Sequence, residues 1–137
     1  MEGIDIYERL PQAPAAVPAA RVALTPLEGA VNPGTFATLR LLVSELVGNS
    51  VRHGSEEANE DIELSIDASR DTIRVEVSDS GAGFSPLPRA ADADMASGWG
   101  LHLLDALSDR WGTEQHARVC VWFELPGMFA AADPRRN

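Results

Sequence analysis

The stretch "VNPGTFATLRLLVSELVGNSVRHG", residues 31–54, decides how this chain is built. Asn32 is a good helix N-cap, Pro33 suits a first helical position, and Gly54 supplies a stop. Between them Phe36, Leu39, Val43, Leu46, Val47 and Ser50 recur at three- and four-residue steps, which predicts a helix over about 33–53. Glu45 and Asn49 fall one turn apart on that helix. With Glu45 set at zero and about 100° per residue, Asn49 lies near 40° and the apolar stripe near 100–160°. A carboxylate and an amide therefore border the buried face. The position suits the wet edge of an amphipathic helix or the wall of a pocket, and this helix alone does not choose.

Outward from the helix, the pattern changes period. "IDIYERL" (4–10) reads as a short strand with Ile4 and Ile6 on one face. The Ala- and Pro-rich run after it allows a short helix over about 16–24, stopped before Pro26. Past an acidic loop (55–61), Ile62, Leu64 and Ile66 alternate, as do Ile73, Val75 and Val77, around the turn "ASRD". These make an antiparallel hairpin with one face buried. The segment 80–100 is studded with Gly and Pro and reads as a long functional loop. "GLHLLDALSDRWG" (100–112) then predicts a helix with Leu101, Leu104 and Leu107 inward, and "ARVCVWFELP" (117–126) a last strand. Strands and helices segregate rather than alternate. The expected class is α+β, a two-layer sandwich with helices on one face of a mostly antiparallel sheet.

Composition narrows the function. The chain has 137 residues, room for one domain with a single core, expected over 1–126 with a frayed tail at 127–137. A formal net charge of −10 argues against nucleic-acid binding, because phosphate attraction needs clustered basic residues. All 11 basic residues are Arg. Cys120 is the single cysteine, so no internal disulfide forms, and its alternating strand setting reads as a small buried residue. His53, His102 and His116 lack metal-ligand spacing. No apolar run reaches the length of a membrane span, and the N-terminus lacks a signal pattern. The expectation is a cytoplasmic domain with no membrane partner.

Two glycine-rich boxes bear on the Glu45–Asn49 question. "DSGAGF" (79–84) puts Asp79 where a strand runs into a loop, with Gly81 and Gly83 free to bring backbone close to a ligand. "SGWGL" (97–101) puts Gly98 and Gly100 at an expected helix start, where N–H groups can hold phosphate. Each box alone is weak, and each has a plain reading as a turn or a cap.

Together, Glu-x-x-x-Asn on a long helix, Asp-x-Gly-x-Gly after a strand and Gly-x-Gly-Leu at a helix resemble the GHKL (Bergerat-type) ATP-binding superfamily. With "DALSDRWG" and the closing "VWFELP", the likeness is to bacterial anti-sigma regulatory factors with serine-protein kinase activity, over roughly residues 10–126. The resemblance implies ATP and Mg²⁺ as cofactors. It implies Glu45 as general base, Asn49 as Mg²⁺ ligand and Asp79 as acceptor of the adenine amino group. Gly81 and Gly83 would pack on the base, and Gly98, Gly100 and Leu101 would enclose the triphosphate. The implied partners are a sigma factor and an anti-anti-sigma antagonist, and relatives of this kind often dimerise. A sensor histidine kinase fits poorly, since no helix pair presenting a phospho-accepting histidine precedes the domain.

Two departures keep a second function open. Trp99 separates the glycines where many relatives carry Arg or a smaller residue, and 84–97 contains Arg89 as its only basic residue. The alternative is a docking module that regulates transcription without phosphoryl transfer, with nucleotide as a conformational ligand or absent.

Overall fold

The computed structural model describes residues 3–53, 61–80, 95–115 and 117–128. In chain order these form β1 (Ile4–Leu10), α1 (Ala16–Ala23), a 3-10 turn (Thr25–Leu27), α2 (Pro33–His53), β2 (Ile62–Ala68) and β3 (Thr72–Asp79). Then come α3 (Met95–Leu107), β4 (Arg110–Gln115) and β5 (Val119–Pro126). The five strands make one antiparallel sheet in the order β1-β2-β3-β5-β4. The helices pack against one face of it, the expected α+β sandwich.

Strand alternation builds the interface between the layers. Ile62, Leu64 and Ile66 of β2, Ile73, Val75 and Val77 of β3, and Phe123 and Leu125 of β5 are buried on the helix side. α2 lays Leu39, Leu42, Val43, Leu46 and Val47 across them. Its start is as the sequence predicts: Asn32 Oδ1 accepts from the Gly34 amide at 2.8 Å, satisfying a donor that the helix itself leaves open. α1 lies along α2, with Arg21 Nε donating to Ser44 Oγ at 2.9 Å.

The helix-free face is polar and ordered around Trp122. Arg74 stacks on its ring at 4.2 Å and Arg110 lies 5.7 Å from the ring centre. Arg74 also pairs with Glu76 at 2.9 Å and with Glu124 at 3.1 Å.

Two elements differ from expectation. α3 begins at Met95, so Gly98 and Gly100 lie inside the helix rather than at its entrance. Glycine in a helix costs about 1 kcal/mol relative to alanine, which packing of Leu101 and Leu104 on the core offsets. The same helix stops at Leu107, which is exposed rather than inward. Ser108 Oγ bonds back to the Leu104 carbonyl at 2.5 Å, and the Asp109 amide turns to the Glu124 carbonyl at 2.9 Å. The chain thus joins the sheet as β4, where the sequence suggested a continuing helix. β4 has no clean apolar alternation, and its Gly112 sits so close to Trp122 that a Cβ there would lie 2.9 Å from the ring.

At the other end, the described chain continues two residues past Pro126. Met128 is buried, and Gly127 and Met128 donate to the carbonyls of Asp71 and Ser69 in the β2–β3 turn. The rest of the expected tail, 129–137, lies outside the described residues. No helix among the described residues is long and apolar enough to cross a membrane.

Candidate functional site

The alternation that buries Ile73, Val75 and Val77 runs on to Asp79, the last residue of β3. A carboxylate thus takes the next inward position of an apolar row and is 5% exposed. The informative feature of a protein interior is such a buried polar group, not the apolar ones around it. Across from it, the buried stripe of α2 ends in Asn49 and Ser50, and Asn49 is 3% exposed.

The two polar side chains meet at a recess. It is lined by Leu46, Asn49 and Ser50 from α2, Val77 and Asp79 from β3, and Val119 and Val121 from β5, and is partly open to solvent. Four apolar walls with a carboxylate at one edge and an amide at another suit a flat heteroaromatic ring with an exocyclic donor. Ser80, next to Asp79 but outside the recess lining, has a buried hydroxyl with no hydrogen-bond partner among the described residues.

The Asn49 side chain is held in place. Its Oδ1 accepts a hydrogen bond from Arg52 Nη2, one turn further along α2. Gln12, in the connection from β1 to α1, donates through Nε2 to the Ser50 carbonyl at 2.6 Å and fastens the last turns of the helix. Glu45 stands one turn before Asn49, half-buried and outside the recess lining. Among the described residues it makes no hydrogen bond or ion pair with another side chain or with backbone.

The model of the histidine kinase-like ATPase domain matches residues 10–124, most of the chain. The chain belongs to that family. As a histidine kinase-like ATPase domain of the GHKL type it is an ATP-binding fold, and the resemblance carried by the helix and the glycine boxes is a true membership. No curated protein matches the chain significantly.

The residues present fit the nucleotide. Apolar walls, the inward Asp79 carboxylate and the Asn49 amide form a lining with acceptor and donor groups for a purine. For Mg²⁺ the fit is that of a cation brought in by phosphate. Among the described residues no group of three or more His, Cys, Asp or Glu could hold a metal by itself. An amide oxygen such as that of Asn49 is a suitable single ligand where phosphate oxygens and water supply the others.

Of the residues singled out from the sequence, the fold brings Asn49 and Asp79 together on one recess and sets Glu45 beside it. Leu101 is half-buried on α3, packed against the core rather than lining the recess. Gly98 and Gly100 belong to the first two turns of α3. Gly81 and Gly83 lie outside the described residues. Sequence reading missed the walls Leu46, Val77, Val119 and Val121 as site residues, because each looks like ordinary core.

Proposed function

We propose that this domain is a bacterial anti-sigma regulator that binds Mg·ATP in the recess and phosphorylates a serine on an anti-anti-sigma partner. The observation that carries the reading is Asp79: a carboxylate in the inward row of β3, facing a recess whose other polar wall is Asn49. Asp79 accepts a hydrogen bond from the adenine amino group, a contact that the carbonyl of guanine cannot replace. Bound Mg·ATP supplies the phosphoryl group and the cation that neutralises its charge. Asn49 offers its amide oxygen to that cation, which requires Arg52 to turn aside; Arg52 is exposed and has room to do so. Glu45 accepts the proton of the incoming serine hydroxyl as that oxygen bonds to phosphorus and ADP leaves. The sigma factor docks on the same domain, and the phosphorylation state of the antagonist decides whether it is released.

Calorimetry with ATP, with and without Mg²⁺, tests the binding step. The expected result is Mg²⁺-dependent heat that Asp79→Asn abolishes. Glu45→Ala should keep the heat and lose phosphate transfer to the antagonist. No heat at millimolar ATP overturns the nucleotide reading and leaves the docking role. Heat that persists with no transfer from the wild-type protein leaves a nucleotide-responsive docking module, which Trp99 and the single Arg of 84–97 favour.

A further inference from the structure

The β2–β3 ladder ends one residue before the site. Glu63 pairs with Ser78, but Asp79 has a cross-strand partner only on the other side, Val119 of β5. At this end of the sheet two carbonyls, of Asp61 and of Ser78, come within reach of one donor. Arg118, the residue before β5, supplies it: Nη2 donates to the Asp61 carbonyl at 2.8 Å and to the Ser78 carbonyl at 3.1 Å. Its Nε reaches Ser78 Oγ at 3.4 Å. Ser78 alternates with Val77 and Asp79, so its side chain and the guanidinium lie on the helix-free face of the sheet. Arg118 is thus on the opposite side from the recess.

The Ser78 carbonyl belongs to the peptide unit whose nitrogen is that of Asp79. A peptide is planar, so holding its oxygen fixes the plane from which the Asp79 side chain projects. We propose that Arg118 is a positioning residue for adenine recognition: from the far face it holds the Ser78–Asp79 peptide and thereby sets the selectivity of Asp79 for a purine bearing a 6-amino group. The inference rests on the reading of Asp79 as the adenine acceptor. A guanidinium is suited to the task because Nη2 serves both carbonyls while Nε, fixed in the same plane, reaches the Ser78 hydroxyl.

The test compares two nucleotides on full-length protein: ATP, and purine riboside triphosphate, which lacks the 6-amino group. Calorimetry gives the dissociation constants for wild type, Arg118→Gln and Arg118→Lys, with thermal melting to verify that each is folded. Arg118→Gln should weaken ATP about tenfold, the scale of removing one charge-assisted hydrogen bond, and leave purine riboside triphosphate within about twofold. Arg118→Lys, which keeps one donor group, should fall between wild type and Arg118→Gln. Equal weakening of both nucleotides, or of neither, overturns the role of Arg118 while the adenine reading stands. A wild-type protein that binds both nucleotides equally overturns the adenine reading, and the role of Arg118 falls with it. Should Arg118→Gln fail to fold, Arg118→Lys alone decides by the same comparison.

Discussion

Asn49 has one amide oxygen and two claimants for it, Arg52 and the proposed Mg²⁺. Two cations on one oxygen repel, so Arg52→Ala should lower the Mg²⁺ concentration needed for half-maximal ATP binding. Arg52 is exposed, which limits the effect to roughly two- to threefold, as for other solvent-screened contacts. A magnesium titration of ATP binding measures it, and a midpoint that rises instead would mean that Arg52 supports the cation site. Cys120 gives a second test on the opposite face of the sheet. Burial, then the nearby Glu76 and Glu114 carboxylates, push its thiol up to about 11, against 9.0 for an unperturbed one. The raised value keeps the thiol neutral as the pH passes 9, so the rate of alkylation should keep climbing toward pH 11 rather than level off. Mass spectrometry of timed iodoacetamide reactions checks this, and a plateau near pH 9 would contradict it. What the sequence reveals at this scale follows from phase. Asp79 continues a period-2 row and Asn49 falls 40° from the position of Glu45 toward the apolar stripe, so both positions are legible as inward-edged. Arg118 obeys no period; its proposed role comes from where two strands end.

The long helix and the hairpin were legible as elements because their signals are local. α2 has its cap, its proline and its stop written in sequence, and removing the cap tests how much the start contributes. Asn32→Ala leaves the Gly34 amide without its side-chain acceptor and should lower stability by about 1 kcal/mol, measured by urea unfolding. No change would mean that water satisfies that amide equally well. β4 was not legible for the converse reason. Arg-Trp-Gly-Thr-Glu-Gln has one half-buried apolar residue and a glycine, and it becomes a strand only because β5 offers it an edge. The start of α3 escaped similarly, since two glycines read as a helix entrance until tertiary packing carries the helix through them. Gly112 is where β4 depends most on its neighbour. A methyl group there meets the Trp122 ring at 2.9 Å, and that ring is held by Arg74 on the same face. Gly112→Ala should therefore destabilise the fold by about 1–3 kcal/mol, the range for forced overpacking, and alter near-UV circular dichroism. An unchanged midpoint in urea would show that Trp122 moves aside freely.

Across the whole molecule the recess joins the two layers: α2 supplies one wall, and β3 and β5 supply the other. A ligand seated there contacts helix layer and sheet at once, and both sets of contacts exist only when the layers are packed. Nucleotide should therefore stabilise the global fold by mass action, not one element alone. At a free ATP concentration one hundred times its dissociation constant the gain is about 2.7 kcal/mol. For a domain of this length that raises the melting temperature by roughly 5–10 °C. Thermal unfolding in the presence of Mg²⁺ reads it directly and needs no partner protein. Glu45→Ala should keep the full shift, because Glu45 lies outside the recess lining and is assigned to the transfer step alone. Asp79→Asn should lose most of it, since a neutral amide with one acceptor oxygen replaces a charged carboxylate with two, and its NH2 group repels the purine amino group if it faces it. The same two variants show which of the two side chains binds nucleotide without any assay of transfer. A shift that disappears in Glu45→Ala would place Glu45 among the binding residues, and a shift kept in Asp79→Asn would move adenine recognition away from the end of β3.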